Sequence, residues 1–453
     1  MLATNIISTF TAQIVLSVLA LISSVVVARA LGPEDRGLLA LVVLLPEVAT
    51  MIGFLGFEEA NAVYAGVEPD RRRALLWHSV AVAGAVGTLI SLAGVSFLVL
   101  TPSWRPPADR APFWLFLLPI STIPAVLVTR YWQAIVRGMN RILMLNAVMM
   151  GTKVVGFILV VACVGVLRLG IQGVVGVNFL LDIAGLAVMG FMLRQVKIWG
   201  DPQFDKPLFR RTLRLAVPAH ASNMAGYLNA RMDALIIAAF LPPVDLGFYV
   251  IALSLVDRMW ILPGAVSSVL LPHLTNSRSR DPALTAVLAR HVMVWTAAAS
   301  VAIFVSADML VRILYSPRFS PTVAPLRWLL LGVVPLSGAK VLLAELLALQ
   351  KPRYNLWASS AAAVFSVLAN LLLVPRMGIT GAALSSSLTY SLLSALLIGY
   401  YLKQTHLSWT ALVPRGSDLQ TYIRLYRSVP GFLARLRFTR TSPATPARCA
   451  PGL

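Results

Sequence analysis

Five basic residues, Arg130, Lys153, Arg231, Arg258 and Lys340, and five acidic ones, Glu47, Asp182, Asp233, Asp257 and Glu345, stand isolated inside long apolar stretches of the sequence. A charge at the centre of a bilayer costs about 2.5–3.5 kcal/mol even on the gentle insertion scale. A chain that keeps this many is expected to build a polar cavity between helices, which reads as a transport pathway. Neighbours along the chain cannot neutralise them. At about 100° per residue, Arg231 and Asp233 point about 200° apart, Asp257 and Arg258 about 100°, and Lys340 and Glu345 about 140°. None is the favoured i,i+4 pair, so partners must come from other helices or from a ligand.

Depth ranks the candidates. Lys153 and Arg258 fall near the middle of their apolar stretches and Arg231 somewhat past the middle, whereas Arg130 is close enough to one end to snorkel. The expected cavity cations are therefore Arg231, Arg258, Lys153 and Lys340. Asp233, Asp257 and Glu47 are the candidate counter-ions or coupling groups. For each of the seven the competing reading is an interhelical salt bridge that only fixes packing.

Composition sets the class of protein that holds them. The 453 residues are 58% hydrophobic and 12% charged, with a mean hydropathy of +0.80, values a soluble globular core cannot account for. The chain reads as an all-α, polytopic membrane protein. Its formal charge of +20 could suggest nucleic acid, but most Lys and Arg fall in short loops, where they orient a membrane protein. Cys163 and Cys449 give neither a disulfide framework nor metal-ligand spacing, and His78, His220, His273, His291 and His406 are scattered. No phosphate loop and no nucleophile elbow is present, so neither ATP hydrolysis nor a cofactor is expected.

The apolar runs predict twelve helices near 8–30, 38–65, 75–101, 113–137, 142–166, 173–194, 213–240, 247–272, 284–306, 323–349, 355–374 and 382–402. Ala28-Arg29-Ala30 looks like a signal-peptide cleavage site, but the opening residues carry no basic group and the apolar run is long. The first helix is therefore expected to be retained. Loops after even-numbered helices carry 16 of the 38 basic residues, among them Arg71–Arg73 and six from Arg194 to Arg214, against 9 in loops after odd-numbered helices, so the even loops and both termini are expected to be cytoplasmic. Pro46, Pro119, Pro124, Pro218, Pro263 and Pro335 fall inside spans, where prolines are common and permit bending.

The two halves echo one another. Gly32-Pro33-Glu34-Asp35-Arg36-Gly37 matches Pro242-Pro243-Val244-Asp245-Leu246-Gly247, and Arg168-Leu169-Gly170-Ile171-Gln172-Gly173 matches Arg376-Met377-Gly378-Ile379-Thr380-Gly381. With six helices per half, the repeats enter the membrane from the same side and are related by an axis along its normal. The expected organisation is a six-helix lobe over 1–194, a cytoplasmic linker over 195–212, a second six-helix lobe over 213–402 and a basic tail over 403–453. Apolar and basic residues mix at helical spacing in that tail, which fits either a surface helix on anionic lipid or a solvated extension.

These motifs carry a family resemblance. Ala28-Arg29-Ala30-Leu31-Gly32-Pro33-Glu34-Asp35-Arg36-Gly37, followed by an apolar helix with Pro46, resembles the opening of bacterial oligosaccharide flippases of the multidrug/oligosaccharidyl-lipid/polysaccharide (MOP) exporter superfamily. Leu228-Asn229-Ala230-Arg231-Met232-Asp233, Leu246-Gly247-Phe248-Tyr249 and Leu262-Pro263 are similar to the family's helices 7 and 8. The resemblance implies two lobes arranged as a V in the bacterial cytoplasmic membrane. Its implied cargo is a polyprenyl-diphosphate-linked oligosaccharide moved to the outer leaflet by alternating access, with membrane lipids and a polysaccharide polymerase or glycosyltransferase as partners. Arg and Lys in a cavity would suit a diphosphate. The related peptidoglycan-precursor flippases carry extra helices and arginines in the middle of helix 1, whereas Arg29 here stands at the end of that helix. Two other functions remain in view. A cation-coupled multidrug-type exporter predicts an acidic cavity, and a membrane glycosyltransferase would use Glu34-Asp35 as an acidic pair.

Overall fold

The computed structural model describes residues 2–101, 104, 112–276, 282–349 and 352–413. Among them every regular element is helical. The thirteen α-helices are α1 (Leu2–Gly53), α2 (Phe57–Val67), α3 (Arg72–Leu100), α4 (Trp114–Ser121), α5 (Ile123–Gly138), α6 (Ile142–Val161), α7 (Gly170–Gln195), α8 (Lys206–Phe240), α9 (Pro243–Val256), α10 (Ile261–Asn276), α11 (Pro282–Leu314), α12 (Val323–Ala348) and α13 (Pro352–Thr405).

Nine described segments are long and apolar enough to cross a membrane. Two of them, Gln13–Gly53 and Arg353–Thr405, each contain a glycine hinge and so supply two crossings: Gly32 with φ 77° and Gly378 with φ 60°. Only glycine takes such backbone angles at no steric cost. Helix α8, with 35 residues, is long enough for a further crossing, and its charges make it the least apolar of the described helices. Counted this way, the described residues fit twelve passes in two six-helix lobes. The repeat is visible in the backbone as well, since Gly170 and Gly378, equivalent by sequence, share φ 60°.

Several boundaries differ from the sequence reading. The second crossing runs on to Val67 but breaks at Leu55 and Gly56, both with positive φ, before α2. Tyr131 stabilises that break from α5 by donating its hydroxyl to the carbonyls of Gly53 and Phe54 at 2.9 and 3.0 Å. Helix α8 begins at Lys206, inside the segment expected to be linker, because the Asp205 carboxylate accepts from the Leu208 amide at 2.9 Å and caps it. The interruption between α4 and α5 falls at Thr122, two residues before Pro124. The Pro124 ring frees the Ile120 carbonyl, and Ser91 of α3 donates to that oxygen at 2.8 Å. Of the tail, residues 403–413 are described and fold back, with Leu412 buried against the second lobe. The amphipathic stretches from Tyr422 to Arg437 lie outside the described residues.

Repeat-equivalent turns meet at the boundary between the lobes. A side chain on Gly37 would overlap the Pro243 carbonyl, and one on Gly247 would come within 2.8 Å of the Gly37 amide. Two repeat-related glycines thus allow the second crossing of one lobe to press directly on α9 of the other. This contact, at what is here termed the Gly32 end, is reinforced by Arg29, which donates to the Leu314 carbonyl at 2.7 Å and also to Ile313 at the C-terminus of α11. A cation there complements the helix dipole. Ser24 and Tyr315 add a hydroxyl contact of 3.5 Å.

The opposite end, termed the Glu68 end, is also bridged. Arg211 of α8 grips Glu68 with two hydrogen bonds of 2.9 and 3.2 Å, and Asn223 donates to Glu59 at 2.6 Å. A side chain on Gly56 would overlap the Ala216 carbonyl, so backbone meets backbone here as well.

Candidate functional site

Between these two contacts lies a cavity of about 840 Å³. The first lobe contributes both halves of α1, with α6 and α7; the second contributes α8, α9, α10 and the short 3-10 turn Asp257–Trp260. Among the described residues, four cations line it: Arg36, Lys153, Arg231 and Arg258. Two acids do so as well, Glu47 and Asp257. Gln13, Ser17, Ser23, Ser24 and Asn178 add neutral hydrogen-bonding groups, and the remaining wall is largely aliphatic.

The cations differ in how they are satisfied. Arg231 Nε donates to Glu47 across the lobe boundary at 3.2 Å, with both side chains partly exposed to the cavity. This is the partner from another helix that the spacing within α8 required, and it comes from a residue 184 positions away. Arg258 has no such closure: its Nε is buried without a hydrogen-bond partner among the described residues. A buried donor left unpaired costs about 1–3 kcal/mol, and more when it is charged. The turn Asp257–Trp260 interrupts α-helical geometry between α9 and α10, and it carries both Asp257 and Arg258 on the cavity wall.

Two of the seven expected site residues lie elsewhere. Asp233 is buried at 2% exposure inside the second lobe, where its carboxylate accepts from Tyr249, from Ser386 at 2.9 Å and from the Ala234 amide at 2.7 Å. Helical spacing fixes the direction of a side chain but not which neighbour it meets. Here hydroxyls from α9 and α13 take up the carboxylate, and Asp233 does not reach the cavity. Lys340 stands behind the wall, its ammonium 3.7 Å from the centre of the Trp260 ring, which itself faces the cavity. A cation on an indole face is held by the ring quadrupole.

Arg36 is the cavity residue that sequence reasoning missed. Four positions beyond the Gly32 hinge it looked like a loop charge, but the helix has already resumed there and turns it inward. The only sequence clue is its place one residue before Gly37, the position at which the lobes touch. Glu34 and Asp35 occupy the first helical turn after the hinge, where acids suit the positive end of the helix dipole. They do not line the cavity.

Comparison with known proteins agrees with this architecture. Residues 2–278 match the family model described as polysaccharide biosynthesis protein. The chain belongs to that family. The chain is also similar to the probable low-salt glycan biosynthesis flippase Agl15 of Haloferax volcanii, at 25% identity over 248 residues, 50% of this chain and 52% of that one. It thus spans about half the length of the curated relative it matches. Among solved structures, the lipid II flippase MurJ in an inward closed conformation superposes with a TM-score of 0.72 at 14% identity, covering 96% of this chain and 94% of MurJ. An inward-facing multidrug resistance transporter of the MATE family, within the MOP superfamily, gives 0.70 at 12% identity over 86% and 94%. At such identities the likeness speaks for the fold. This polysaccharide biosynthesis protein has the two-lobed, MATE-like fold of MOP-superfamily transporters.

Proposed function

We propose that this family member is a flippase that carries a polyprenyl-diphosphate-linked oligosaccharide from the inner to the outer leaflet of the bacterial cytoplasmic membrane. The observation that carries the reading is the lining of the interlobe cavity, where cations outnumber acids and Arg258 presents a buried donor that no described residue satisfies. A diphosphate supplies the acceptor oxygens and negative charge that such a group lacks. The hydroxyls and amides of Ser17, Ser23, Gln13 and Asn178 suit the sugar portion. Lys153 contributes positive charge from the first lobe, while Lys340 acts from behind Trp260. Asp257 and the Glu47–Arg231 pair are the coupling candidates, the pair because it joins the two lobes and would have to part for them to separate.

Contacts at both ends suit an occluded stage of alternating access, with the Gly32 end facing outward and the Glu68 end, both termini and the segment 195–212 facing the cytoplasm. The glycan flippase relative from Haloferax volcanii supports the same cargo class. A polysaccharide polymerase or glycosyltransferase would act on the delivered lipid. A multidrug-type exporter for cationic drugs would need the opposite balance of cavity charge.

Depleting the protein in its own organism tests the proposal. Lipid-linked oligosaccharide is expected to accumulate on the cytoplasmic leaflet while surface polysaccharide declines. Unchanged polysaccharide output with no accumulation would contradict it.

A further inference from the structure

We infer that Arg36 is a second anion-binding position, set at the Gly32 end of the cavity and distinct from the mid-depth position at Arg258. This inference rests on the lipid-diphosphate reading of the cavity given above. By the 210-residue repeat Arg36 is level with Leu246, twelve residues from Arg258, which corresponds to about 18 Å along the helix axis. No cavity acid stands beside it. Glu47 and Asp257 both lie about three helical turns deeper.

Its surroundings suit an anion. The Nε of Arg36 is buried and has no hydrogen-bond partner among the described residues, although the side chain lines open volume. The cavity shares this end with hydroxyl groups. Ser24 lines the same end of the cavity, and the Tyr315 hydroxyl lies 3.5 Å from Ser24 Oγ and 3.3 Å from Ser254 Oγ. An arginine with hydroxyls beside it can hold a phosphate group through several charge-assisted bonds.

Position gives this group a consequence. Arg36 immediately precedes Gly37, whose backbone is pressed against Pro243 of the other lobe. An anion drawn from Arg258 to Arg36 would therefore arrive where the lobes touch, next to the contact that must part for release. Arg258 would receive the lipid diphosphate and Arg36 would hold it just before exit.

The test uses purified full-length protein and farnesyl diphosphate, a short isoprenyl diphosphate, with farnesol as the uncharged control. Arg36→Gln is expected to weaken farnesyl diphosphate binding about tenfold or more, the scale set by losing a charged hydrogen-bond donor. Farnesol binding should not change, and Arg36→Lys should recover most of the loss. In the wild-type protein, farnesyl diphosphate but not farnesol should protect Arg36 from phenylglyoxal, read by peptide mass spectrometry, so the test stands even if the glutamine variant fails to fold. A folded Arg36→Gln protein with wild-type affinity, or unprotected Arg36, would overturn the second position. If Arg258→Gln still lost affinity in that case, the cavity reading would survive. Wild-type protein that binds no farnesyl diphosphate would overturn both.

Discussion

Arg258→Glu is expected to abolish glycan export, lowering surface polysaccharide at least tenfold while the protein stays in the membrane at its normal level. The wild-type guanidinium offers a buried donor with no described partner. Charged hydrogen bonds contribute about 1.5–3 kcal/mol each, so losing even one corresponds to roughly a tenfold or greater loss of affinity. Glutamate also places a second carboxylate next to Asp257 on the cavity wall, adding repulsion against an anionic cargo. Because no described residue accepts a hydrogen bond from the Arg258 Nε, its removal should spare the fold. Quantifying extracted polysaccharide beside an immunoblot of the membrane fraction checks both halves of the expectation. Wild-type export by a well-expressed variant would remove Arg258 from the transport pathway.

Gly37→Leu is expected to be equally severe by a different route. A side chain at this position overlaps the Pro243 carbonyl, and Gly247 already lies against the Gly37 backbone, so neither helix can yield without the lobes moving apart. The strain should be relieved by opening the Gly32 end rather than by unfolding, since the second lobe keeps core clusters of its own around Leu342 and Leu346. A cysteine introduced at Ser254, which is half-buried behind that contact, should then react with a membrane-impermeant maleimide at least tenfold faster, on a background with Cys163 and Cys449 changed to serine. Export should fall to background because the end cannot close again. Unchanged labelling would mean that the glycine contact is not the closure.

Much of this architecture was legible in the chain. The long apolar runs, the Gly32 turn and its echo at Pro242, and the equivalence of Gly170 with Gly378 survive in the described residues, because bilayer thickness and backbone sterics are written locally. Of the four expected cavity cations, Arg231, Arg258 and Lys153 line the cavity, as do Glu47 and Asp257. Mid-span depth is a property of sequence, and a charge at that depth must find either a cavity or a polar or aromatic partner.

What was not legible depends on contacts across the fold. Asp233 and Arg231 are two positions apart on α8 and point in different directions: one into hydroxyls of its own lobe, the other across the cavity to Glu47. Spacing alone could not assign which face met which neighbour. Lys340 is drawn onto Trp260, eighty positions away in sequence, by an aromatic face that carries no charge to advertise it. Arg36 was hidden by the opposite problem, since a charge near a turn normally meets solvent. The Gly37 contact with Pro243 keeps this one inside.

The most direct measurement places the purified protein in liposomes containing lipid-linked oligosaccharide extracted from depleted cells, and follows how much of the glycan becomes accessible to a reagent confined to one side. Wild-type protein should render the sheltered half of the glycan accessible, and Arg258→Glu liposomes should match protein-free ones. Wild-type liposomes indistinguishable from protein-free ones would contradict the account.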